Sequence, residues 1–261
     1  MPVFNFFKKE KKETKRENIL LAMPIFNDNN NYQLDKVIDN LKIFWGLDIT
    51  ELVGDDEAAS FNINGETIAL ANMGVPIPWG DIEGTAQYAY NWPSALKDLE
   101  SHTGHAIVSI MAGTKSSLER FKILSQVLSA VLMTSEAVAV YQGSQSLLIP
   151  RTQYLTYIES LKENEIPVAL WIYIGLRNTD KGNNAYTYGL KDFQKSEIEI
   201  INSKLTLEEL FDLLFNITSY VIGNDVTLKE GETIGLTAEQ KASISISKGR
   251  FIEGQSIKLE I

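Results

Sequence analysis

The stretch of residues 102–143 constrains the fold more than any other part of this chain. Two short apolar runs, residues 106–111 and 137–141, flank a longer segment whose apolar residues recur with the period of an α-helix. This order predicts a β-α-β unit in which the two strands run parallel. Because both runs are apolar at nearly every position, we expect both strands to be covered on both faces and to lie at the centre of the fold.

The segments before this unit give the order of a ferredoxin-like fold. An apolar strand pattern at residues 18–26 is followed by a helical stripe, and the pair Asn64-Gly65 indicates a tight hairpin between two further strands. A loop with two prolines, residues 76–81, then leads into short helical segments that end near His102. With the strand at residues 105–111, these segments give the order β-α-β-β-α-β, which is typical of ferredoxin-like folds.

The segments after the unit repeat this alternation. We expect a strand at residues 168–176, a polar loop at residues 177–184, and a last helix that begins with a capping box at Thr206 and Glu209. The alternating C-terminal segment predicts an edge hairpin.

We therefore expect an α+β protein of two ferredoxin-like (βαββαβ) halves packed into one unit, with mixed sheets covered by helices. A single larger mixed sheet is the alternative. The expected domains are a disordered basic arm at residues 1–17, an N-terminal half at residues 18–112 and a C-terminal half at residues 113–261.

Charge is distributed unevenly along the chain. Residues 1–17 contain six Lys/Arg and three Asp/Glu, whereas the remaining residues contain 18 Lys/Arg and 31 Asp/Glu, a net charge of −13. An acidic body argues against nucleic-acid binding, which needs clustered positive charge. No apolar run approaches the ~20 residues of a membrane span, and no signal-peptide cleavage pattern follows the basic start. We expect a cytoplasmic protein with no membrane span.

The chemistry available to this chain is limited. It contains no cysteine and two histidines, His102 and His105. Glu197 and Glu199 alternate with isoleucines along a predicted strand, which would place both carboxylates on one face. These four residues together are the best candidate for a metal or acid–base site. The structural interpretation is favoured, with His102 capping a helix end and the glutamates on a solvated face, so we expect no cofactor and no metal.

Aromatic residues near predicted loops form a second set of candidates. They could line a pocket or a partner surface, because Trp and Tyr favour such sites. Core packing is the alternative for each of them. The candidate binding residues are Trp79, Asp81, Trp92, His102, His105, Tyr141, Trp171, Glu197 and Glu199.

The order and spacing of several short motifs resemble a known family. These motifs are Pro76-Ile77-Pro78-Trp79, Trp92, His102-x-x-His105, Val140-Tyr141, Thr187-x-Gly189-Leu190, Glu197-Ile198-Glu199 and Gly231-x-Thr233-Ile234-Gly235. Together, over residues 18–261, they resemble the bacterial family called domain of unknown function 4261. The resemblance implies a bacterial cytoplasmic protein without an established activity, of the kind that accompanies secretion or inter-bacterial conflict systems. It implies no catalytic residues.

Two functional hypotheses follow. The first is a non-enzymatic binding or accessory protein, an immunity-type inhibitor that binds a protein partner, such as a toxin or secretion-system component, through its acidic surface. The loops expected to carry the contact are residues 54–57, 76–81 and 177–184. The alternative is a small-molecule or metal-dependent enzyme that uses His102, His105, Glu197 and Glu199. The oligomeric state is left open.

Overall fold

A computed structural model describes residues 19–236 and 241–261. The predicted basic arm, residues 1–17, lies outside the described residues. The described chain is α+β, with two β-sheets and seven α-helices. The helices are α1 (Leu34–Ile43), α2 (Trp79–Ala86), α3 (Ala95–Leu99), α4 (Ser117–Thr134), α5 (Arg151–Lys162), α6 (Val168–Trp171) and α7 (Leu207–Gly223). None of these helices is both long enough and apolar enough to cross a membrane.

The first sheet has seven strands in the order β2-β3-β4-β5-β1-β6-β7. All neighbouring pairs are antiparallel. The strands are β1 (Leu20–Asn27), β2 (Ile49–Gly54), β3 (Ala58–Ile63), β4 (Glu66–Met73), β5 (His102–Ala112), β6 (Ala137–Gln142) and β7 (Leu147–Pro150).

The predicted β-α-β unit is confirmed as β5-α4-β6. Strands β5 and β6 pair antiparallel with the two sides of β1, so they run parallel to each other with β1 between them. Side chains alternate between the two faces of this central region. Phe26 and Val140 contact the main core beneath α1 and α4, whereas Ile25 and Ala139 contact a smaller core beneath α2 and α3. Both faces of the centre are therefore covered, as the apolar runs predict.

The two ferredoxin-like halves are not confirmed. The first sheet continues beyond residue 112, because β6 hydrogen-bonds to β1 and β7 to β6. The predicted boundary after residue 112 falls between β5 and α4, inside the connection that joins two strands of one sheet. The sheets themselves divide between Pro150 and Tyr173. Periodicity identifies a strand but not the strand that pairs with it, and for that reason the pairing was not predictable from the pattern.

The second sheet has six described strands in the order β11-β12-β13-β10-β9-β8. It is mixed, because β10 pairs parallel with β13 while the other pairs are antiparallel. Helix α7 packs against β8 and β9. The strands are β8 (Tyr173–Thr179), β9 (Gly182–Tyr188), β10 (Ile198–Ser203), β11 (Thr233–Gly235), β12 (Lys241–Lys248) and β13 (Gln255–Glu260).

Three local predictions in this sheet are wrong in whole or in part. The apolar run at residues 168–176 begins as helix α6 and becomes strand β8 only at Tyr173, since a short buried run does not distinguish helix from strand. The polar segment 177–184 is a β8–β9 hairpin rather than a loop. The C-terminal hairpin β12–β13 lies inside the sheet rather than at its edge, because β13 pairs with β10.

Candidate functional site

Both histidines bind the main chain around the two-proline loop. His102 is the first residue of β5, with Nδ1 2.7 Å from the Leu99 carbonyl oxygen and Nε2 3.2 Å from that of Ile77. His105 places Nδ1 2.9 Å from the carbonyl oxygen of Val75. The contact with Leu99, the last residue of α3, confirms that His102 caps a helix end. Between the histidines, Gly104 lies within β5 and faces the Met73 carbonyl too closely for a Cβ.

The environment of His105 favours its neutral form. Burial lowers the pKa of His105, the hydrogen bond to the Val75 carbonyl opposes this shift, and the nearby His102 lowers the pKa further. At neutral pH the imidazole is therefore uncharged and donates its Nδ1 proton to Val75. Its role in this arrangement is to hold the loop.

These contacts give the two-proline loop a fixed conformation. Between its prolines, Ile77 is buried in the smaller core. Trp79, the first residue of α2, lies 6.4 Å from the His102 ring between centroids, yet remains 41% exposed. Asp81 is also exposed, in the first turn of α2. The loop thus presents an aromatic side chain to solvent on a rigid support.

Glu197 is a buried carboxylate that organises the turn after β9. It accepts hydrogen bonds from the Thr187 hydroxyl at 2.8 Å, the Gly189 amide at 2.9 Å and, more weakly, the Lys191 amide at 3.4 Å. Gly189 has φ of +120°, a conformation that favours glycine. The carboxylate therefore supplies an acceptor to amides that the sheet leaves unpaired.

Glu199 braces the β12–β13 turn in the same way. Its carboxylate accepts hydrogen bonds from the amides of Arg250 and Phe251, from the Ser256 hydroxyl and from the Lys258 ammonium group. Burial raises the pKa of Glu199, but these hydrogen bonds outweigh burial, and the net pKa is lowered. The predicted solvated face is wrong for both glutamates, because each is at most 2% exposed.

The four residues of the predicted metal or acid–base site are not brought together. The histidines belong to the first sheet and bind carbonyl groups. Glu199 lies on β10 of the second sheet, and Glu197 immediately precedes that strand. Over residues 19–236 and 241–261, no three His, Asp or Glu side chains are placed to hold a metal ion.

The remaining aromatic candidates differ in exposure. Trp171 is fully buried and donates its indole N–H to the Ser125 hydroxyl at 2.8 Å, so it belongs to the core. Trp92 is half-buried and donates to Asp98 at 2.8 Å. Tyr141 is half-buried against the smaller core. Of the predicted aromatic candidates, only Trp79 is largely exposed.

Strand register brings three turns to one end of the first sheet. Asn27 pairs with His102, Met73 pairs with His105, and Gly54 pairs with Ala59, so the turns that follow β1, β2 and β4 share this end. We call the group formed by residues 28–31, 55–57 and 74–79 the acidic end.

Hydrogen bonds join the turns of the acidic end to neighbouring elements. The Leu34 amide donates to Asp56 at 2.6 Å, the Asn72 amide donates to the Glu57 carbonyl at 2.8 Å, and the Asn29 amide donates to the Thr103 hydroxyl at 2.8 Å. Four exposed carboxylates, those of Asp28, Asp55, Asp56 and Glu57, therefore share a braced surface with Val75 and Trp79. The third predicted contact segment, residues 177–184, belongs to the second sheet.

A cleft of about 360 Å³ lies elsewhere, between the edge strands β7 and β8. Its walls include four tyrosines, Tyr88, Tyr90, Tyr157 and Tyr173, and none of the predicted site residues. Aromatic residues beside predicted loops indicated a pocket in general terms, without identifying this one. The sequence could not place the four tyrosines together, because they come from elements far apart in the chain.

Comparison with known proteins gives one match. Residues 186–260 match the model of a family described as Domain of unknown function (DUF4261), which confirms the resemblance for this segment. The segment contains the motifs around Thr187, Glu197 and Gly231, whereas the motifs from Pro76 to Tyr141 precede it. Comparisons with curated proteins and with solved structures gave no match.

Proposed function

We propose that this protein is a non-enzymatic binding protein that holds a basic protein partner against its acidic end. The observation that carries the proposal is the convergence of four exposed carboxylates with Val75 and Trp79 on turns braced by hydrogen bonds. An exposed aromatic side chain surrounded by charge is typical of interface anchors. We further propose an immunity-type role, in which the partner is a bacterial toxin or secretion-system component and binding inhibits it.

The candidate catalytic groups favour binding over turnover. The carboxylates of Glu197 and Glu199 already accept hydrogen bonds from main-chain amides and nearby side chains, and His105 donates a hydrogen bond to a carbonyl group. A general acid or base must reach the proton that it transfers. Groups committed to bracing turns contribute little to such chemistry. His105 also holds the two-proline loop of the acidic end, which gives the proposed interface rigidity.

The charge of the chain supports a basic partner. Outside residues 1–17, Asp and Glu exceed Lys and Arg by 13. A net negative charge of this size raises the association rate with an oppositely charged protein. The effect falls with salt, since the screening length shrinks from ~10 Å at 0.1 M to ~3 Å at 1 M.

The test begins with affinity capture from the source cell at low salt, followed by kinetics with the recovered partner. Glu57→Lys is the informative charge reversal, because the Glu57 side chain accepts no hydrogen bond within the described residues. Asp55 and Asp56, by contrast, accept main-chain hydrogen bonds, so reversing them would also disturb their turn. Glu253→Lys, an exposed site between β12 and β13, is the matched control.

The two substitutions are expected to change different rate constants of partner binding. Glu57→Lys should slow association more than it speeds dissociation, and the control should change neither rate. Trp79→Ala should instead speed dissociation by roughly 30-fold, since truncation of an aromatic hot spot costs about 2 kcal/mol. If neither substitution changes the rates of partner binding, the acidic end is not the binding surface. A His105-dependent turnover of a small molecule would contradict the binding function, and a partner that retains full activity when bound would contradict the immunity role.

A further inference from the structure

The cleft between β7 and β8 has the size and shape of a small-molecule site. Its volume of about 360 Å³ lies within the range of roughly 300–1,000 Å³ that ligand pockets occupy. Residues 147–149 of β7 and residues 172–176 around β8 supply an apolar floor. Residues 88–91 and helices α5 and α7 form its sides.

Its tyrosines form a connected group. The rings of Tyr88 and Tyr173 lie 5.5 Å apart between centroids, edge to face, and those of Tyr90 and Tyr173 lie 6.3 Å apart. The Tyr90 hydroxyl donates to the Ile174 carbonyl at 3.2 Å, which fixes residues 88–91 across the edge of β8. The hydroxyls of Tyr88 and Tyr157 have no hydrogen-bond partner within the described part of the chain.

Tyr90 and Tyr173 are neutral at physiological pH because burial raises the pKa of each. For Tyr90, burial together with a contribution from Tyr157 raises the pKa to about 12. Neutral phenol rings present an electron-rich face that attracts cations within ~6 Å of the ring centroid.

The charge on the described lining of the cleft is negative. Among the described residues that line the cleft, Glu208 is the only charged one, and neither a hydrogen bond nor an ion pair within the described chain engages its carboxylate. Arg177 is close enough to Tyr173 to act on its pKa, but it is exposed and does not line the cleft. The cleft thus combines aromatic faces, one carboxylate and an apolar floor.

We propose that this cleft binds a small organic cation, an amine or quaternary ammonium group carried on an apolar or aromatic body. The tyrosine faces and Glu208 take the cationic group, and the floor formed by β7 and β8 takes the body. The amides of Asn91 and Gln153 are available for polar contacts at the side of the cleft. This site is separate from the acidic end, so the two proposals are tested independently.

Calorimetric titration of the full chain with matched probes tests the ligand class. Benzyltrimethylammonium and phenethylamine are the cationic probes, 2-phenylethanol is the neutral probe and 3-phenylpropionate is the anionic probe. We expect the cations to bind about tenfold more tightly than the alcohol, and the anion to bind most weakly. Equal affinity for the cations and the alcohol would overturn the proposal. The proposal would also be overturned if neither cation binds at a ligand concentration of roughly 10 mM, which is high enough to reveal even a weak site.

Variants locate the binding. Glu208→Gln should weaken the cations about fivefold and leave 2-phenylethanol unchanged, whereas Asp212→Asn, an exposed site on the same helix, should change neither. Tyr157→Leu should weaken the cations more than the alcohol. Ala169→Leu should abolish binding of every probe by filling the cleft, with a thermal melt of each variant to verify folding. Cation affinity that is unchanged by Glu208→Gln and Ala169→Leu in folded protein would refute the site.

Discussion

The buried ion pair between Glu66 and Arg120 should be strongly coupled energetically. Arg120 Nε donates to the Glu66 carboxylate at 2.9 Å, and its guanidinium also donates to the Ile110 carbonyl at 3.0 Å. Glu66 is 0% exposed and also accepts the Lys115 amide at 2.8 Å. The pair therefore fastens β4 to the start of α4 through a carboxylate that water does not reach.

The structure sets the size of the expected effect. Arg120→Leu leaves a fully buried Glu66 carboxylate that still accepts the Lys115 amide but has lost its cationic partner, and breaking such a pair costs about 3–5 kcal/mol. Glu66→Leu removes the carboxylate that accepts the Arg120 guanidinium and the Lys115 amide, and this costs a similar amount, roughly 3–5 kcal/mol. The double variant removes both charges, so it should be less destabilised than the two single costs combined by at least ~2 kcal/mol.

Urea denaturation at pH 7, followed by fluorescence and circular dichroism, measures these free energies. Coincident transitions for both signals are needed before the values are compared. The coupling should persist at 0.5 M salt, because a buried pair is screened little. Additive costs, or a loss below about 1 kcal/mol for Arg120→Leu, would refute the reasoning and place the pair in an effectively solvated environment.

Three further predictions concern stability. Leu128→Ala should cost about 2–5 kcal/mol in urea denaturation, because Leu128 is fully buried on the core-facing side of α4, and a near-neutral result would contradict the packing of α4 on the sheet. Glu199 has a lowered pKa in the folded protein, so its stabilisation is complete above the unfolded value of about 4.3 and is lost as the pH falls through the folded value. When the free energy of unfolding is measured from pH 7 to pH 2, Glu199→Gln should lose less stability on acidification than the parent protein. Identical losses would show that Glu199 does not contribute to the pH dependence of stability. Deletion of residues 1–17 should leave the thermal unfolding temperature unchanged, and a drop of many degrees would show that the arm packs on the body.

The central unit was predictable because its signals are local. The stripe of α4 and the two apolar runs specify their own structure, and the Asn64-Gly65 pair specifies its turn, with φ of +52° and +85°. Likewise, the capping box of Thr206 and Glu209 forms at the start of α7. Each of these features depends on residues close together in the chain.

The partners of the candidate residues were not predictable in the same way. Glu66 occupies a strand position next to a hairpin, where an exposed carboxylate is the ordinary expectation, yet its side chain is buried against Gly113. Its partner is 54 residues away. Glu199 likewise accepts hydrogen bonds from Phe251 in the β12–β13 turn and from Ser256 in β13, both more than 50 residues away. Long-range pairing decides whether a carboxylate is solvated, braced or catalytic, and a periodicity pattern carries no information about it.

The segment that resembles the family overlaps the proposed binding surfaces only at helix α7, which lines one side of the cleft. Residues 186–260 contain Glu197 and Glu199, which brace turns of the second sheet. The acidic end belongs to the first sheet, and most of the cleft is formed by residues 88–176, with α7 contributing Glu208 and Phe211. The resemblance therefore concerns a scaffold held by buried carboxylates. If partner binding is a property of the first sheet, Glu57→Lys should slow association with the partner while the unfolding transition keeps its midpoint.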